Sequence, residues 1–360
     1  MRIGKGKISS IQLMILIISV LQGSTLTSTF ISVITKQDTW IFLLMGSAIT
    51  ALLLYVYTSL GRKFPGKNLV QINSKIYGSY LGSIISILYV FFFWFLIPAN
   101  ARLEADFFAT YVFSDIGTYV FVIGIVLICA YAVGKGIETI ARISLGIVII
   151  TTLIAVILPI LTVKEMRLSN FFPVFQVNLK EFTQGIDLMV SIPYGELVVL
   201  LMIFSHMRDI RQVKRYTFWG LIIGSIYFLS VSLRNTAVLG SIGSISAYPS
   251  YELAKLINIG EIITRIESVI ALILLLDLFV KISLHYYAAV VSIAQLLKLR
   301  DYKPLIIPVG IISIILAISM YDSPVDEAYS AVNIYPIYAI PCVILLPITS
   351  LIITYIRKLA

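Results

Sequence analysis

Ten runs of about 18 or more residues, almost free of charge, follow one another along this chain. They lie at 8–34, 39–60, 78–101, 117–133, 143–162, 186–204, 217–239, 263–296, 305–320 and 334–356. Each is long enough to cross the hydrocarbon core of a bilayer as a helix. Lipid offers no partner to a free amide or carbonyl, so such a run closes its hydrogen bonds within itself. The chain is therefore expected to be an all-α polytopic membrane protein with a single transmembrane domain over 1–360. Its composition agrees, because 59% of the residues are hydrophobic, only 12% are charged and the mean hydropathy is +0.99. A short basic start leads into the run at 8–34 with no small-residue cleavage site, and that run is read as a retained first span.

The basic residues orient these spans. Arg2, Lys5, Lys7, Arg62, Lys63, Lys67, Lys75, Lys135, Arg142, Arg208, Arg211, Lys214, Arg215, Lys298, Arg300, Lys303, Arg357 and Lys358 fall on one side, 18 of the 27 basic residues. The other side has Lys36, Arg102, Lys164, Arg167, Lys180, Arg234, Lys255 and Arg265, and Lys281 sits inside the eighth span. The bias places both termini in the cytoplasm. A net charge of +9 dispersed through short loops is topological and does not indicate nucleic acid. Two outer segments exceed tight turns. Residues 167–182 are read as interfacial, and 248–267 as a short amphipathic helix over the outer mouth or a solvated connector.

Two spans carry their own interruptions. Ser191-Ile192-Pro193-Tyr194-Gly195-Glu196 combines a proline, a glycine and a carboxylate in the sixth span. Proline removes a backbone donor and clashes with the preceding turn, so the helix is expected to unwind there. Gly23-Ser24-Thr25-Leu26-Thr27-Ser28 interrupts the first span, where small and hydroxyl residues also suit close helix packing. With five spans per half, helix six corresponds to helix one in an inverted repeat, over about 8–162 and 186–356, and paired broken helices point to a central transporter-like site. The candidate ligand-binding residues are Gly23, Ser24, Thr25 and Thr27 from the first break and Ser191, Pro193, Tyr194, Gly195 and Glu196 from the second. Asn100 beside Pro98 in span three, and Asp277 and Lys281 in span eight, complete the set.

A charge at membrane depth costs about 2.5–3.5 kcal/mol on insertion scales, so each must be paired or face a cavity. Asp277 and Lys281 share one helix face at a spacing of four, which fits either an ion pair within the helix or a ligand or ion role. Pro98 and Asn100 supply a kink, or a kink and a polar group for the same cavity. His206 and His285 have no metal-ligand spacing, and Cys129 and Cys342 lie inside apolar spans. Neither a metal nor a cofactor is expected. No phosphate-binding loop or nucleophile elbow suggests an enzyme.

Six segments in order carry a likeness to a known family. They are Lys36-Gln37-Asp38-Thr39-Trp40, Phe64-Pro65-Gly66-Lys67, Tyr131-Ala132-Val133-Gly134-Lys135-Gly136-Ile137-Glu138, Pro193-Tyr194-Gly195-Glu196, Ala254-Lys255-Leu256-Ile257-Asn258-Ile259-Gly260 and Asp301-Tyr302-Lys303-Pro304. Together they resemble the spore germination permease family, the B subunits of nutrient germinant receptors. The resemblance implies the amino acid-polyamine-organocation superfamily and a leucine-transporter-like fold with broken helices one and six. It further implies a place in the spore inner membrane beside A and C subunits, and sensing of a small nutrient such as an amino acid. A proton- or sodium-coupled amino acid permease is the alternative the same features allow.

Overall fold

The first span is two helices rather than one. The computed structural model describes residues 6–240, 243, 246–255 and 266–359. Helix α1 (Ser10–Gly23) opens on Ser9, whose hydroxyl accepts from the Gln12 amide while the Gln12 side chain accepts from the Ser9 amide. This reciprocal cap fixes the helix start. The chain then turns through 24–27 and resumes as α2 (Ser28–Thr35). In the turn the hydroxyls of Ser24, Thr25, Thr27 and Ser28 donate to the carbonyls of Val20, Gln22, Ser24 and Thr25. Side chains thus supply donors that the interrupted ladder lacks.

The rest of the first half comprises α3 (Thr39–Lys63), the short α4 (Leu69–Tyr77), α5 (Ser79–Phe107), α6 (Thr118–Lys135) and α7 (Ile137–Leu161). The sixth span is again discontinuous, with α8 (Leu179–Ser191), a tight 3₁₀ turn at Gly195–Val199 and α9 (Leu200–Ile203). Then follow α10 (Val213–Leu239), α11 (Pro249–Lys255), α12 (Ile266–Leu296), α13 (Ile306–Ser319), α14 (Pro324–Asn333), α15 (Tyr335–Ile340) and α16 (Leu346–Ile356). Among the described residues, eight helical runs are individually long and apolar enough to cross a membrane. The ten spans are completed by the broken first span, whose α1 is short, and by the ninth, where the chain bends 108° between α13 and α14. That bend turns α14 off the bundle axis, and we read it as an outer helix between spans nine and ten.

Burial separates the centre from the lipid face. Every residue from 188 to 204 is buried, and α12 is apolar and buried on all sides from Leu278 to Val291 apart from Phe279, Lys281, Ser283 and His285. A helix hydrophobic all round belongs inside a bundle. By contrast Leu127 on α6, Ile160 on α7 and Ile307 on α13 are exposed, as acyl-chain contacts should be. The first and sixth spans pack on each other and on α12.

Three expectations change at the edges. Helix α5 continues past residue 101 to Phe107, so Arg102, Glu104 and Asp106 are buried rather than in a loop. Arg102 is tolerated there because its guanidinium meets the Asp106 carboxylate at 2.8 Å and the carbonyls of Ala317 and Ile318. Arg234 is likewise buried near the end of α10, bonded to Asn235 and Ser250. Of the outer segments, 167–182 places Leu168, Phe172 and Phe175 in the open, which suits an interface, while Lys180 and Glu181 already belong to α8. The helix expected over 248–267 is α11 at its start; residues 256–265, including most of the segment at 254–260, lie outside the described residues.

Candidate functional site

The sixth span breaks where its sequence demands. Helix α8 stops at Ser191, residues 192–194 turn around Pro193, and Gly195 begins the 3₁₀ turn. A Cβ at Gly195 would lie 2.6 Å from the Val190 carbonyl oxygen and 3.0 Å from Val343, so only glycine permits this approach. Glu196 is thereby carried into the protein centre with 1% of its surface exposed.

Its partner comes from span eight. Lys281 Nζ stands 2.9 Å from Glu196 Oε1, with both side chains buried. The ammonium approaches off the hydrogen-bonding direction, making a close ion pair without an aligned hydrogen bond. One turn on, His285 Nδ1 lies 2.8 Å from the Lys281 carbonyl oxygen, which can only accept. That bond requires a proton on Nδ1, and Nε2 faces Glu196 Oε2, 3.8 Å away.

The expected pair of Asp277 with Lys281 is not formed. A spacing of four puts both on one face, but the long lysine stem carries its charge across to Glu196. Asp277 keeps both carboxylate oxygens without a hydrogen-bond partner, and its backbone carbonyl faces α1, 2.8 Å from where a Cβ at Gly23 would stand. Gly23 is thus a close-approach residue between spans one and eight.

A cavity of about 50 Å³ lies between the two breaks. Of the twelve candidate residues, Thr27, Asn100 and Glu196 line it. Lys281 reaches it only through Glu196. Ser24 and Thr25 turn their hydroxyls to their own helix, and Ser191 donates to the Asp187 carboxylate at 3.1 Å. Pro193 and Gly195 shape the turn. Tyr194 departs most from expectation, because its hydroxyl bonds to Ser225 Oγ at 3.1 Å and the Leu43 carbonyl at 3.3 Å, towards α3 and α10. It lines a separate lateral pocket there.

Sequence reasoning missed several cavity groups. Tyr321 and Glu327 line it on the side of α14, Tyr335 stands on α15, and His285 sits behind Glu196. The signal for His285 was present in the spacing of Asp277, Lys281 and His285, which stacks all three on one helix face. Glu327 sits on the short α14 between two spans, with no such pattern. Among the described residues no group of three or more His, Cys, Asp or Glu is arranged to hold a metal.

Comparison with known proteins places this geometry in context. The family described as spore germination protein matches residues 7–325. Spore germination protein KB of Bacillus subtilis (strain 168) is 26% identical, covering 98% of this chain and 96% of the relative. Spore germination protein B2 of the same organism is 20% identical, over 99% and 98%. Among solved structures, the nucleobase-cation-symport-1 family transporter Mhp1, in a closed conformation with bromovinylhydantoin bound, superposes with a TM-score of 0.68 at 13% identity, covering 99% of this chain and 84% of that one. A sodium-coupled sialic acid symporter in a substrate-bound outward-open state gives 0.69 at 14% identity, over 95% and 80%. At such identities the likeness is one of fold, and it is the leucine-transporter fold with its two broken helices.

Proposed function

The chain belongs to the spore germination protein family, and from that premise we propose that it senses a small nutrient in the central cavity as the B subunit of a germinant receptor. The observation that carries this reading is Glu196, a buried carboxylate delivered by the break of span six to a cavity bounded by the break of span one. A ligand's ammonium would find the Glu196 carboxylate on the cavity wall. Helix α2 begins with no side-chain cap; its Ser28 and Phe30 amides bond back to the Thr25 and Thr27 carbonyls, so what it offers a carboxylate is the positive end of its dipole. The A and C subunits are the proposed partners, the spore inner membrane the location, with both termini cytoplasmic and the repeats over about 8–162 and 186–356.

A coupled amino acid permease is the second reading, favoured by likeness to symporters over nearly the whole chain. Spores carrying Thr27→Val or Asn100→Leu, which leave the Glu196–Lys281 pair intact, test the first, by dose response to two unrelated nutrients with the protein level measured. A selective shift in effective concentration supports a ligand site, tenfold for each ~1.4 kcal/mol lost. Equal losses for both nutrients that follow protein level would refute it. Uptake of the active nutrient into proteoliposomes by the chain alone would favour the permease.

A further inference from the structure

On the face that bears the lysine-rich loops, a cavity of about 620 Å³ opens between α4, the start of α5 and the end of α12. Its charged lining is Lys67, Lys75 and Lys298, with no carboxylate. None of the three has an acidic partner among the described residues. Helix α5 starts at this wall, after Gly78 and without a side-chain cap, so the first amides of a 29-residue helix are free there. Gln295 on α12 adds a carboxamide whose nitrogen and oxygen are both shielded from solvent and unpartnered. Pro65 and Gly66, from a segment the central site does not use, form the rim.

Four features therefore converge on an anion: three unpaired cations, a helix amino end, an unsatisfied amide and the lack of any competing carboxylate. The neighbouring surface narrows the choice. Just past the cavity α5 turns outward Tyr80, Leu81 and Ile84, at 84%, 49% and 43% exposure, the start of its lipid-facing strip. A polar, cationic pocket continuous with an apolar membrane-facing strip fits a molecule with an anionic head and acyl chains. We propose that this cavity binds the phosphodiester of an anionic phospholipid. The lysines and helix amides hold its oxygens, and the acyl chains run along the strip from Tyr80 to Ile84. Basic pockets at a membrane boundary recognise lipid head groups by this chemistry.

The test uses the full chain purified in detergent, with phosphatidylglycerol binding measured by native mass spectrometry against phosphatidylcholine of the same acyl chains. Wild type is expected to retain phosphatidylglycerol preferentially. The triple variant Lys67→Gln, Lys75→Gln, Lys298→Gln should lose about fivefold per lysine, on the order of a hundredfold together. The corresponding triple Lys→Arg variant should keep most binding, showing that loss is not misfolding. A control triple on the same face, Lys135→Gln, Lys214→Gln, Lys303→Gln, should change binding little. Equal loss from both glutamine triples would reduce the effect to general surface charge and overturn the site. Equal retention of the two lipids would also overturn it. Displacement of phosphatidylglycerol by millimolar inorganic phosphate would overturn the lipid assignment in favour of free phosphate. Unchanged lipid binding with lost association of a partner subunit would make the cavity a protein-docking site instead.

Discussion

Removing either member of the Glu196–Lys281 pair should damage the protein more than removing both. At 2.9 Å the attraction is about 6 kcal/mol for an effective dielectric constant near 20. Desolvating two ions costs several kcal/mol each, so the intact pair nets little. Glu196→Gln alone strands the Lys281 ammonium, and Lys281→Met alone strands the carboxylate, each expected to cost about 3–5 kcal/mol. In the double variant both charges are gone, and the loss should fall to that of one single variant or below. The coupling energy should then reach at least the ~3 kcal/mol upper end seen for contacting pairs. The assay is unfolding of the purified chain by titrated detergent, followed by tryptophan fluorescence, for the four members of the cycle. A second cycle with Asp277→Asn and Lys281→Met separates the two possible partners and should be additive within about 0.5 kcal/mol. Additive losses in the first cycle, with strong coupling in the second, would restore the intrahelical pair and refute the contact across spans.

Other expectations follow from neighbouring residues. Gly23→Ala puts a methyl 2.8 Å from the Asp277 carbonyl oxygen, and overpacking of this kind costs about 1–3 kcal/mol; protein level and every nutrient response should fall together, and a selective change in one response would contradict the packing role. Tyr194→Phe loses the bonds to Ser225 and Leu43 and should cost about 0.5–1.5 kcal/mol of stability without altering nutrient preference, which paired dose responses would reveal. Glu327, in α14 outside the ten spans, has its carboxyl pushed up to about 8 by burial, with Asp106 adding and Arg102 opposing. A raised carboxyl contributes stability that is fully present below its ordinary 4.5 and is lost as pH rises through about 8. The thermal midpoint should therefore decline between those values, and Glu327→Gln should flatten the decline; an unchanged slope in the variant would rule Glu327 out.

The breaks were legible because they are local events. Pro193 removes an amide from its own helix, and Gly23 with five following hydroxyl or apolar residues weakens its own ladder, so both interruptions follow from spacing within one run. What the pattern could not supply was which charge answers which. Lys281 and Asp277 share a helix face in any reading, and only the packing of span six against span eight decides that the lysine turns to Glu196. Arg102 and Asp106 misled for a related reason. Charges ending an apolar run look like a loop, yet this pair neutralises itself at i and i+4 and lets α5 continue. Tyr194 shows the limit of helical phase, since the turn after Pro193 rotates its side chain away from the cavity that Glu196 enters.

The same contact bears on how binding would become a signal. A ligand moves a conformational equilibrium only as far as it binds one state better than another. On the proposed reading, an incoming ammonium competes for Glu196 with Lys281, a charge covalently tied to α12. Displacing it leaves a buried cation that must find a new partner, and the nearest carboxyl without a hydrogen-bond partner on its own helix face is Asp277, one turn away. A switch of Lys281 from Glu196 to Asp277 would exchange a contact between spans six and eight for one within span eight. The link between the two spans would then depend on the ligand, which is what a sensor requires of a transporter fold. Asp277→Asn removes the second position of that switch without touching the cavity. It should leave stability of the resting state little changed while reducing the response to every nutrient, and a fully responsive Asp277→Asn spore would rule the exchange out.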